Sequence, residues 1–263
     1  MGHIVIFVVS RAFFILLLLV NPVLLSASQL PQPLFEKAIQ SSRNGDLVEA
    51  LEQWDQFLEL FPDDALALSN RGNVRLALGD FEGAIADQSK SIAILPFELD
   101  SHLNRGIAEE ALELWKEAAT DYNWVLERDP AEASALFNLG NLKVTEGNWR
   151  EAEALFRKAS LAQSGFVMAR SSKALMLYQL GDLDEAESEL RTIIRRYPMF
   201  ADARAALSAL LWNKGFLGEA ESHWASVAGL DSRYMEEEWL LNVRRWPPKP
   251  THDLFAFLTL DSP

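Results

Sequence analysis

The chain has 263 residues, of which 49% are hydrophobic, and its 38 acidic and 24 basic side chains give a formal net charge of −14. That balance disfavours phosphate backbones and anionic lipid as partners, and no Lys/Arg cluster extends beyond Arg195-Arg196 and Arg244-Arg245. The absence of cysteine excludes disulfides, thiolate nucleophiles and thiolate metal sites.

Residues 1–28 stand apart. Arg11 precedes an apolar run from Ala12 to Leu25, and Ser26-Ala27-Ser28 follows it. A basic residue, an apolar run and small residues before a cut form the pattern of a secretory signal, with cleavage after Ser28. The alternative is an uncleaved membrane anchor from Ile4 to Leu25, which would have to accommodate Arg11 and Asn21-Pro22. Under either reading the remainder of the chain is exported.

From Pro31 the chain falls into six rows of 34 residues: 31–64, 65–98, 99–132, 133–166, 167–200 and 201–234. Ala50, Ala84, Ala118, Ala152, Ala186 and Ala220 recur at that period without a slip. Gly45, Gly79, Gly147, Gly181 and Gly215 stand five residues ahead of five of them, and Glu113 takes that place in the third row. Pro62, Pro96, Pro130 and Pro198 follow twelve residues after the alanine. A fixed period in this range marks stacked repeats. Glycine after one periodic stretch and proline after the next predict two helices per row. The third turn, lacking glycine, is the place where the regularity is expected to loosen.

Two columns predict how the helices of a row meet. Ala38, Gly72, Gly106, Gly140, Ala174 and Ser208 are all small and belong where two helices approach closely. Trp54, Gln88, Tyr122, Phe156, Leu190 and Trp224 form a larger column in the second helices. Lys37, Arg71, Arg105 and Lys173 lie beside the small column, with packed stems and charged ends expected to reach water.

After the rows, residues 235–263 predict a cap and tail. Ser232 would cap a helix burying Met235, Trp239, Leu240 and Val243, with Glu236, Glu237 and Glu238 outward. Trp246-Pro247-Pro248 would end it. Thr251 would cap a last short helix holding Leu254, Phe255, Phe257 and Leu258.

Asn70-Arg71-Gly72, Leu78-Gly79-Asp80-Phe81, Ala84-Ile85 and Pro96 together resemble the tetratricopeptide repeat, as do Asn138-Leu139-Gly140, Gly147-Asn148-Trp149, Ala152 and Ala159. The resemblance implies an all-α, right-handed solenoid of six stacked helix-turn-helix repeats with C-terminal capping helices. It also implies a protein-binding scaffold. RRWPPKPTHDLFAFL and RRYPMFADARAALSALLW are similar to tetratricopeptide proteins of chloroplasts and cyanobacteria. This second resemblance implies a thylakoid lumen or periplasm, and subunits of a photosynthetic membrane complex as partners.

No catalytic set is visible. His3, His102, His223 and His252 lie in separate elements without a second ligand at metal spacing, and His102 reads as a partly exposed side chain. There is no glycine-rich phosphate loop. The expectation is a non-enzyme with no cofactor, no metal and no nucleic-acid partner. Its binding surface would be the concave face lined by the first helices. Phe35, Asn73, Ile107, Phe137, Asn141, Tyr178 and Trp212 are the candidate peptide-binding residues, the amides for main-chain hydrogen bonds and the aromatics as anchors. Basic residues that would grip an acidic tail are missing from these columns. Two rival readings are a structural adaptor that oligomerises through an exposed tail from Trp246 to Leu260, and a cofactor or pigment carrier.

Overall fold

A computed structural model of the chain describes residues 31–260, whose regular structure is entirely helical. The predicted signal or anchor lies outside the described residues. Within them, no helix is long and apolar enough to cross a membrane.

Six helix pairs occupy the six rows. The chain divides into two compact units, one ending at Leu114 and the other beginning at Trp115. The first unit holds α1 (Pro31–Asn44), α2 (Leu47–Leu60), α3 (Ala65–Leu78), α4 (Phe81–Ile94) and α5 (Leu99–Ala111). The second begins with α6 (Trp115–Arg128), α7 (Ala133–Thr145), α8 (Trp149–Ala162) and α9 (Val167–Leu180). It continues with α10 (Leu183–Arg196), α11 (Ala201–Asn213) and α12 (Leu217–Leu230).

The turn inside each row closes by one repeated device. An amide bonds back to the carbonyl five residues earlier: Asp46 N to Ser41 O, Asp80 to Arg75, Leu114 to Glu109, Asn148 to Lys143, Asp182 to Leu177 and Phe216 to Leu211, at 2.8 to 3.0 Å. The backbone must pass through the left-handed region, and the five glycines do so at φ between 74° and 92°. Glu113 does so as well, at φ 60°. The third turn therefore keeps the hydrogen-bonded shape of the others without a glycine, and Glu113 carries the backbone strain that glycine avoids. Each second helix then starts with an acid in its first turn, where the helix dipole favours it.

The small column admits the large one. A Cβ on Gly72 would lie 2.8 Å from Gln88 Nε2, and one on Gly140 would lie 2.7 Å from Phe156 Cε1. All six ladder alanines are at most 1% exposed. Side chains at the crossings leave no room for another methyl group, which is why these positions stay small.

Two members of the basic column, Arg71 and Lys173, depart from expectation, while Lys37 stays exposed. Arg71 reaches Asp87 with Nε and Nη2, at 2.8 and 2.7 Å, and Asp55 with Nη1 at 2.7 Å. It therefore ties α3 to α2 and to α4. Lys173 pairs with Glu189 at 3.2 Å. These charges turn inward because a carboxylate sixteen residues on, in the second helix, meets them across the crossing. The Asp87 hydrogen bond holds the Arg71 guanidinium above its ordinary pKa against the opposing effect of burial, and Asp55 adds to the rise. His102 also differs from its reading, being buried near the start of α5.

Beyond α12 the single predicted cap helix is absent. A 3₁₀ turn (Ser232–Met235), capped by Asp231, leads to a π turn (Trp239–Val243). Met235 and Val243, expected inside, are 51% and 68% exposed. The chain bends so that Tyr234, Arg244 and Trp246 all converge on Asp202, near the start of α11. The last helix, α13 (Pro248–Leu260), starts three residues ahead of the predicted cap at Thr251, with Pro248 in the first helical position that suits proline. Thr251 instead returns its hydroxyl to Pro247 O at 3.0 Å. α13 packs on α11 and α9.

Candidate functional site

In the first unit, the first helices of successive rows touch one another, α1 against α3 and α3 against α5. Their shared face carries the predicted lining. Asn73 is exposed; Phe35, Ile39, Leu76 and Ile107 are half-buried. Between α1 and α3 lies a cleft of about 330 Å³ lined by Ile39, Ser42, Arg43, Leu47, Asn70, Asn73, Val74 and Ala77.

The polar groups here are partly committed. The Asn73 side-chain oxygen accepts from Gln88 Nε2 at 2.8 Å, which leaves its NH₂ as the group presented to a ligand. Gln88 is placed by Ser69 O at 3.0 Å and fills the space that Gly72 leaves open. Ser42 donates to Ala38 O and accepts from Trp54 Nε1 at 3.1 Å. Phe35 does not stand free as an anchor. Its ring packs edge-on against Trp54 and Phe57, with centroids 5.0 and 5.2 Å away. The cleft thus has an apolar floor edged by the Asn70 and Asn73 amides and by Arg43.

In the second unit, Phe137 and Asn141 sit one turn apart on α7, both half-buried. The Phe137 ring leans on Phe156 and Phe166, centroids 5.4 and 5.0 Å away. Beyond α7 the expected open face is closed. Ser171, Leu175, Tyr178, Ala205 and Ala209 are at most 1% exposed. Tyr178 is no peptide anchor in this structure: its hydroxyl donates to Asp253 of α13 at 2.8 Å. Burial first, then that hydrogen bond, raises the phenol far above its ordinary pKa, so it acts only as a neutral donor. Trp212 is half-buried and packs on the same core. Tyr178 is covered because residues 234–260 fold back over α9 and α11 instead of covering only the outer side of the last row.

Asp202 anchors this closure. Its carboxylate accepts from Tyr234 at 3.0 Å, Trp246 Nε1 at 3.0 Å and Arg244 Nη2 at 2.6 Å, and from the Ser171 hydroxyl. Burial alone would raise its pKa, yet the Arg244 charge and these donors hold it below the ordinary carboxylate value. Sequence reasoning missed this hub. Its one legible sign was an acid in the first turn of the alanine- and leucine-rich α11. Among the described residues, no group of three or more His, Asp or Glu side chains is placed to hold a metal ion.

The tetratricopeptide repeat profile matches residues 36–98, 103–166, 139–198 and 172–232. The mitochondrial import receptor subunit TOM34 of Rattus norvegicus is 32% identical over 111 residues, which are 39% of this chain and 36% of that protein. The chain thus spans about a third of the length of this curated relative. A tetratricopeptide repeat protein from Parabacteroides merdae shares the fold with a TM-score of 0.65 at 21% identity, over 88% of this chain and 93% of that one. YrrB, described as a TPR protein with an unusual peptide-binding site, aligns with a TM-score of 0.56 at 20% identity, over 69% of this chain and 94% of its own. With profile matches running through most of its length, the chain belongs to the tetratricopeptide repeat family.

Proposed function

We propose that the protein is a non-catalytic interaction scaffold that captures an extended polypeptide segment on the first-helix face of its N-terminal unit. The observation that carries this reading is the cleft between α1 and α3, where an apolar floor of Ile39, Leu47 and Val74 meets the amides of Asn70 and Asn73. The family and the protein-import relatives support a protein partner. The exported address rests on residues 1–28, and a photosynthetic membrane complex as client rests on the sequence resemblance alone.

The test is Ala77→Glu, which leaves the Asn73–Gln88 hydrogen bond in place. Ala77 is exposed, so the carboxylate enters the cleft without disturbing the core. Partner recovery from a native membrane fraction is expected to fall at least tenfold, about 1.4 kcal/mol or more, with helical content and unfolding midpoint unchanged. Undiminished recovery refutes the cleft as the binding site. Of the tail on which the adaptor reading rests, Trp246, Leu254 and Phe257 are at most 3% exposed.

A further inference from the structure

We propose that the face formed by α9 and α11 is a second ligand site, shaped for an amphipathic helix bearing a carboxylate, and that α13 is its intramolecular occupant. This inference concerns the second unit and stands independently of the cleft in the first.

Three polar groups on the first-helix face address α13 and match it at one end. Asp253 Oδ2 accepts from Tyr178 Oη at 2.8 Å and from Asn213 Nδ2 at 3.0 Å. Gln179 Oε1 accepts the Lys249 amide at 2.8 Å, one of the otherwise unsatisfied N–H groups of the first helical turn. Four residues beyond Asp253, Phe257 is 3% exposed and meets Trp224 edge-on at 6.4 Å, while Leu254 is fully buried. This is the arrangement of a helix laid in a groove: apolar anchors on one stripe and a polar clamp fixing the register. Among the described residues no helix of the first unit covers the corresponding face of α1, α3 and α5, where Asn73 is exposed.

The connection into α13 is built to give way. Arg245 holds φ at 56°, a left-handed backbone on a residue with a side chain, immediately ahead of Trp246-Pro247-Pro248. Release of α13 would relieve that strain. An external helix repeating the pattern Asp-Leu-x-x-Phe, as in Asp253-Leu254 and Phe257, would then take the same clamp. In cis, α13 competes at an effective concentration on the millimolar scale, so the closed form prevails without a ligand.

The experiment uses the full chain and a fluorescein-labelled synthetic peptide of residues 246–260. Asp253→Lys loosens the cis helix and leaves Tyr178, Gln179 and Asn213 intact. The variant is expected to bind the peptide about tenfold or more tighter than the wild type, and a peptide carrying the same change is expected to bind neither. Equal affinity of variant and wild type for the unaltered peptide, or binding by neither, overturns the proposal. Should the variant fail to fold, hydrogen exchange on the wild type with excess peptide decides. Selective loss of protection in residues 248–260 supports the site. Unchanged protection, or loss shared with α9 and α11, overturns it.

Discussion

Gly140→Ala separates close packing from helix propensity by the sign of its effect. Gly140 lies in the interior of α7, where alanine ordinarily stabilises by about 1 kcal/mol. Here the new methyl would lie 2.7 and 2.9 Å from Phe156 Cε1 and Cδ1. The ring cannot easily withdraw, because it is 1% exposed and backed by Phe137 at 5.4 Å. Overpacking of this kind costs about 1–3 kcal/mol, so the net change is a destabilisation of up to about 2 kcal/mol. Urea unfolding followed by far-ultraviolet circular dichroism measures it. The fifth row suggests the remedy, since it places Leu190 opposite Ala174, both fully buried. Gly140→Ala with Phe156→Leu is therefore expected to recover part of the loss. A single Gly140→Ala variant more stable than the wild type would refute the account of the small column.

Glu113→Gly is expected to stabilise the chain by about 0.5–1 kcal/mol in the same assay, because glycine adopts φ 60° without the side-chain strain; a loss of stability would contradict the strained turn. Arg71→Lys should cost about 1–3 kcal/mol, since an ammonium cannot hold the two-point contact with Asp87 while also reaching Asp55, and a neutral result would make that staple dispensable. Asp202→Asn should destabilise the second unit by about 3–5 kcal/mol at neutral pH by leaving Arg244 buried without its counter-charge. Because the Asp202 pKa is held below its unfolded value, its contribution is complete above about pH 4 and declines as pH falls through the folded value. The gap between variant and wild type should therefore narrow on acidification, and a constant gap measured by unfolding at several pH values would contradict the charge pairing. Ala118→Leu should cost about 1–3 kcal/mol, since Ala118 has no exposed surface into which a longer side chain could turn.

The rows were legible because their determinants are local or nearly so. Glycine, alanine and proline act within a turn or across one helix crossing, and the 34-residue period repeats the same constraint six times. Placement of Phe35, Asn73 and Ile107 on first helices follows from that register. Their freedom to bind does not. Phe35 proved committed to Trp54, and the Asn73 oxygen to Gln88, since each depends on a partner in another helix whose side-chain reach no spacing rule supplies.

The C-terminal region marks the boundary of what sequence reasoning could give. Periodicity placed Met235 and Val243 on one buried stripe, and tertiary contacts overrode it by drawing Tyr234, Arg244 and Trp246 onto Asp202. Thus the sequence by itself determined the repeat, the helix pairs and the small-to-large fit at their crossings, all of which follow from chain-local conformation and fixed offsets. Only the tertiary structure decided which part of the first-helix face is open. Tyr178 and Asp253 are 75 residues apart, and their hydrogen bond exists because folding the tail over α9 and α11 removes more apolar surface from water than leaving that tail extended.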